Sequence, residues 1–152
     1  MKIGIGNDHA SVDMKMKMME YMTSKGYEVV DFGTASSDSI PENDYPIYGR
    51  KVAEAIISGE VEKGILICGT GVGISVSANK VRGIRACVCS DPMTARLTVE
   101  HNNANIIAFG SRIVGEELAK MILDQFFGAE YQGGRHQRRL DKMAEIEADY
   151  MK

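Results

Sequence analysis

The sequence predicts an α/β fold in which parallel strands lie between layers of helix. Short apolar runs alternate with longer segments of helical periodicity, most of the runs are apolar on both faces, and no internal repeat or low-complexity linker interrupts them. A chain of 152 residues fits one domain, residues 1–152, and can bury a core without disulfides or metal.

The strands are expected at Lys2 to Gly6, Tyr27 to Asp31, Gly64 to Cys68, Ile84 to Cys89 and Asn105 to Phe109. The helix after the first strand carries the methionine-rich stretch Met14 to Met22, whose unbranched side chains suit core filling better than a cofactor box. Asp44, Tyr45 and Pro46 can open the next helix with a capping carboxylate, leaving Tyr45 as a staple or a pocket wall. Val52, Ala53, Ile56 and Ile57 continue it at helical spacing and stop before Gly59. Ser90, Asp91 and Pro92 offer a cap and a first-turn proline for a helix running toward Glu100. Leu118, Met121, Ile122 and Phe126 form another apolar face that ends before Gly128. Leu140, Met143, Ile146 and Tyr150 make a narrow stripe on a charged last helix. Such a stripe suits a partner subunit, or a terminal helix lying on its own domain.

Hydrophobic residues make up 44% and charged residues 26%, and the net charge of −3 offers no broad field for nucleic acid or an anionic membrane. The N-terminus, MKIGIGNDH, has no basic-then-apolar leader, and no apolar stretch is long enough to span a bilayer, so a cytoplasmic protein is expected. Three cysteines, Cys68, Cys87 and Cys89, argue against a disulfide framework. Cys87 and Cys89 share one face of a strand with no metal-ligand spacing nearby and are expected in the core, so no metal site is expected.

The chemistry gathers elsewhere. Gly69, Thr70, Gly71, Val72 and Gly73 follow the third strand, where ligands bind in an open parallel sheet. Alternate glycines allow positive φ and leave no Cβ in the way, so N–H groups can converge on an anionic oxygen near a helix starting around Ile74. The loop has neither the lysine of a Walker motif nor the third glycine of a dinucleotide fingerprint. Cys68 at its mouth is either a thiolate base or inert filler. Asp8 and His9 should reach the same edge, as acid, base and phosphate ligand or as a plain Asx turn. His101 and Asn102 end a helix, either as site groups or as a polar terminus. Arg135, Arg138 and Arg139 in GGRHQRR stand three and four apart, as a phosphate clamp or a solvated basic face.

Together GNDH, DYP, ILICGTGVGIS, NKVRGIRA, EHNNAN, FGSRIVG and GGRHQRR, in order over nearly the whole chain, resemble the type B ribose-5-phosphate isomerases. The resemblance implies a Rossmann-like three-layer α/β/α sandwich around a five-stranded parallel sheet. It also implies a homodimer or tetramer with the active site shared between subunits, which gives the C-terminal helix a partner, and an enzyme with no metal and no cofactor. It makes Cys68 the base that takes the C2 proton of the open-chain sugar phosphate. The Gly69 to Gly73 loop, with Val72, would hold the enediolate oxygen, and Thr70 would move protons between O1 and O2. His101 would open the furanose ring, with Asp8 near the sugar oxygens and Asn102 beside them. His9, Arg112, Arg135 and Arg139 would take the phosphate, and Tyr45 would line the pocket. His101 and Asn102 would come from the neighbouring subunit.

This chain departs from the family at Ser11, where glycine is usual, and at Met14, where leucine is common. PIYGRKVAEAIISG and the spacing DHxxxDxK also resemble galactose-6-phosphate isomerase subunits, which tend to lack the EHN histidine and the GGRH tail present here. Ribose 5-phosphate is therefore the favoured substrate, and a hexose 6-phosphate such as allose 6-phosphate is the alternative. A noncatalytic phosphosugar-binding module and a nucleotide-binding protein are the readings from other classes.

Overall fold

The computed structural model describes residues 1–151. Five parallel strands, β1 (Lys2–Asn7), β2 (Glu28–Asp31), β3 (Lys63–Cys68), β4 (Ala86–Val88) and β5 (Ile106–Gly110), lie in the order β2-β1-β3-β5-β4. Six α-helices accompany them: α1 (Val12–Ser24), α2 (Tyr45–Ile57), α3 (Val72–Ala78), α4 (Pro92–Asn102), α5 (Glu116–Gly128) and α6 (Arg135–Tyr150). The α/β/α sandwich is as expected.

Alternation along the strands builds a core on each face. Ile3, Ile5, Ile65, Ile67, Ile107 and Phe109 pack with Met18 and Met22 of α1, Ala95 and Val99 of α4, and Ile122, Leu123 and Phe126 of α5. Leu66, Cys68, Ile106 and Ala108 face the other way, onto Tyr48, Val52 and Ala53 of α2 and Ile74 and Ala78 of α3. Each fully buried Ile, Leu or Phe contributes about 1.5–3 kcal/mol against a net stability of about 5–15 kcal/mol, so the three central strands are the rigid frame of the molecule. The methionine stretch is core on one side only: Met18 and Met22 are buried, while Met16 is exposed.

β4 is shorter than the apolar run Ile84 to Cys89. Asn79 exchanges two hydrogen bonds with the Ala86 backbone, at 2.8 and 2.9 Å, as a neighbouring strand would, and Asn105 Oδ1 takes the Arg85 N–H at 2.8 Å. Asp91 caps α4 by accepting from Thr94 N at 2.7 Å. Asp44 stands at the cap position of α2 but its carboxylate accepts no backbone N–H there, which corrects the expected capping role. The stripe on α6 is divided. Leu140 is buried on its own chain, whereas Met143, Ile146 and Tyr150 are exposed. The helix is tied down by the Arg82–Glu147 ion pair and by Gly83 N donating to Glu147 at 3.1 Å.

Candidate active site

From β1 the chain moves outward to β2 and then returns to the far side of β1 as β3. A crevice therefore opens between the carboxyl ends of β1 and β3, the position where open parallel sheets bind ligands. Asp8 and His9 leave β1 at one wall, and Cys68 ends β3 at the other.

The three glycines of the loop after β3 serve three different purposes. Gly71 alone has positive φ, at 83°, and a Cβ there would meet the Phe109 carbonyl carbon at 2.6 Å. Gly73 makes room for an aromatic ring, since a Cβ would stand 2.6 Å from Tyr45 Cε1. Gly69 makes room for the Arg112 guanidinium, whose Nη1 would be 3.1 Å away. Tyr45 is thus a pocket wall, and Arg112 lies over the glycine loop. Helix α3 begins at Val72, two residues earlier than expected, with Gly71 as its left-handed cap.

Cys68 is buried, and its Sγ accepts the Gly71 N–H at 3.2 Å. The turn aims that amide at the sulfur. Thr70 Oγ1 in the exposed part of the loop accepts Val72 N at 3.2 Å, which orients its hydroxyl beside the same turn. One main-chain N–H, that of Gly71, is thus fixed at the sulfur, and a donor held in this way suits an oxyanion formed beside it. At Cys89, burial, with Cys87 and Asp91 nearby, pushes the thiol up to about 12, so it stays protonated and inert.

Across the crevice, Asp8 Oδ1 accepts Ala10 N at 3.0 Å, an Asx turn, which was one of the two readings of this segment. Burial raises the Asp8 pKa above the ordinary carboxylate value, and this outweighs the Ala10 N–H and the positive charges of His9 and Arg112, which pull it down. His9 is half-buried, with Nδ1 3.9 Å from Asp8 Oδ2.

Side chains that sequence reasoning left without a role hold these loops. Ser11 is buried and its hydroxyl meets that of Ser111 at 2.7 Å, joining the loop of His9 to the loop of Arg112. The departure from glycine at this position is therefore filled by a hydroxyl pair. Lys15 is fully buried, donating to Thr34 O at 2.9 Å and pairing with Asp31 at 3.1 Å. Thr34 Oγ1 in turn donates to Asn43 Oδ1 at 2.9 Å, so this network sets the segment leading into Tyr45. A lysine one turn before Met18 on the same apolar face was the available signal for a buried charge. Met14, the other departure, packs half-buried against the first core.

The remaining candidates lie elsewhere. Helix α4 runs back across the sheet, so His101 and Asn102 reach the amino edge, about 17–20 Å below the crevice by strand length. There the His101 ring stacks on His136, with centroids 4.4 Å apart and planes 13° from parallel. Arg135 and Arg139 project from the exposed side of the same first turns of α6. Within one chain, then, Asp8, His9, Tyr45, Cys68, Gly69, Thr70, Gly71, Val72, Gly73 and Arg112 form one group, and His101, Asn102, Arg135 and Arg139 form another.

This fold is that of a family of sugar isomerases: residues 3–143 match the Ribose/Galactose Isomerase family, and the chain belongs to it. It is 53% identical to ribose-5-phosphate isomerase B of Escherichia coli, over 96% of each chain, and 47% identical to the galactose-6-phosphate isomerase subunit LacB of Clostridium acetobutylicum, over 93% of this chain and 80% of that one. A solved structure of Clostridium thermocellum ribose-5-phosphate isomerase B superposes with a TM-score of 0.95 at 53% identity, covering 99% of both chains. Among the described residues no helix is long and apolar enough to cross a membrane.

Proposed function

We propose that the protein is an aldose–ketose isomerase that interconverts D-ribose 5-phosphate and D-ribulose 5-phosphate through a cis-enediol. One observation carries this reading: the Cys68 sulfur sits at the switch-point crevice within 3.2 Å of the Gly71 amide, a base and a main-chain donor in one short turn. The Cys68 thiolate takes the proton from C2, electrons move into the C1 carbonyl, and the loop amides meet the charge that develops on O1. Thr70 carries a proton between O1 and O2, and return of the first proton to C1 yields the ketose. Preorganised donors of this kind are worth about 2.7–4 kcal/mol each in comparable sites. No cofactor enters the scheme.

The separation of the two groups of residues supports a shared site. His101, Asn102, Arg135 and Arg139 on the amino edge of one copy would close over the crevice of a second, supplying the ring-opening imidazole and two phosphate ligands to complete His9 and Arg112. The exposed Met143 and Ile146 of α6 would be covered in the same assembly.

Purified protein assayed with ribose 5-phosphate, allose 6-phosphate and galactose 6-phosphate tests the substrate, with ribose 5-phosphate expected to give the highest kcat/KM. A higher value for a hexose would favour the alternative supported by the 47% identical galactose-6-phosphate isomerase subunit. Saturable binding with no conversion of any sugar would leave a noncatalytic binding module. Cys68→Ala should cut turnover at least about 10²–10⁴-fold while sparing ligand binding.

A further inference from the structure

His136 has no part in the scheme above. It is nevertheless the one buried histidine among the described residues, at 5% exposure, on a helix whose first two turns are otherwise exposed as far as Arg139. Its Nε2 is buried with no hydrogen-bond partner among the described residues, so hydrogen bonding does not explain its place there. Its ring lies face to face with His101 instead, 4.4 Å away and 13° from parallel. His101 sits in the last turn of α4, half-buried and without a side-chain hydrogen bond among the described residues, so the flat contact is the restraint on its ring. Burial first, then His101, Arg135 and Arg139, hold the His136 pKa below the ordinary imidazole value, which keeps it a neutral face at neutral pH.

We infer that His136 is a positioning residue for ring opening, holding the His101 imidazole by face-to-face stacking in the orientation that meets the sugar. This rests on the reading of His101 given above. Opening the furanose breaks the bond between C1 and the ring oxygen O4 and makes the C1 carbonyl; one proton leaves the C1 hydroxyl and one is delivered to O4. A single imidazole can serve both transfers only when its nitrogens face both oxygens. A misplacement of about 1 Å in such a group costs about 10²-fold.

Ring opening can be separated from the chemistry at Cys68. Ribulose 5-phosphate cannot close to a furanose, because its C5 oxygen carries the phosphate, and exchange of its C1 hydrogen with D2O needs only the enediol step. His136→Leu keeps the buried volume but removes the flat face, while His136→Phe keeps both and removes the nitrogens. His136→Leu should lower net conversion of ribose 5-phosphate about 10–100-fold, leave C1 exchange within about threefold of the parent, and be largely rescued in His136→Phe. His101→Ala run in parallel should show the same split. Equal loss of conversion and exchange in His136→Leu, no loss in either, or no rescue by phenylalanine overturns the inference while the His101 reading stands. Full conversion of ribose 5-phosphate by His101→Ala removes that reading, and the role of His136 with it.

Discussion

The two edges of the sheet are built in opposite ways. At the carboxyl edge the candidate groups are fixed by tight turns and by hydrogen bonds within and between them: Gly71 in a left-handed turn against Phe109, an Asx turn at Asp8, and the Ser11–Ser111 hydroxyl pair. At the amino edge they are side chains on helix ends, with Asn102, Arg135 and Arg139 exposed and one ring stack as the organised contact. A site for proton abstraction needs donors that do not move as charge develops, and only the first edge provides them. The second provides reach and positive charge, which suits a lid contributed by another copy.

The largest effect should come from disturbing the rigid edge. Gly71→Ala places a Cβ in a left-handed residue and against the Phe109 carbonyl carbon. It should cost about 2 kcal/mol or more of stability in urea unfolding and about 10²-fold in turnover by displacing the amide at Cys68. Ser111→Ala comes next. It leaves the buried Ser11 hydroxyl without its partner, so stability should fall by about 1–3 kcal/mol, whereas Asn102→Ala on the exposed edge should stay within about 0.5 kcal/mol. Equal losses at the two positions would erase the contrast.

The smallest and most specific effect concerns Asp8. Its pKa is raised on folding, chiefly by burial, so the folded state binds its proton more tightly than the unfolded chain. The ionised form therefore destabilises the fold, and this cost grows as pH rises from 3.8 through the folded value. Asp8→Asn keeps an oxygen for Ala10 N and removes the charge. Its Tm should exceed the parent's at neutral pH, with the gap closing as pH falls toward 3.8. A gap that widens in acid would mean that His9 and Arg112 outweigh burial.

The strands, the helices and the residues of the glycine loop were legible because alternation, caps and glycine spacing are local signals. The purposes of the three glycines were not: positive φ and an absent Cβ were expected of the loop as a whole, but only Gly71 has the positive φ, and Gly69 and Gly73 are small because Arg112 and Tyr45, distant in sequence, pass over them. Asp44 looked like a cap by residue type, yet capping depends on a side-chain rotamer that sequence does not specify. Lys15 was hidden by the habit of placing lysine outside, and its partners Asp31 and Thr34 come from another element. The stack of His101 on His136 joins residues 35 positions apart on two helices, and neither histidine has a local pattern that pairs them.

The shared site is tested most directly by mixing two dead variants, Cys68→Ala and His101→Ala, after each has been shown to fold and to be inactive alone. If each crevice is completed by the other copy, half of the dimers in an equimolar exchanged mixture carry one intact site, and activity should return to about a quarter of the parent's. If the mixture stays as inactive as its components although the subunits have exchanged, His101 serves the crevice of its own chain or none, and the two edges do not form one active site.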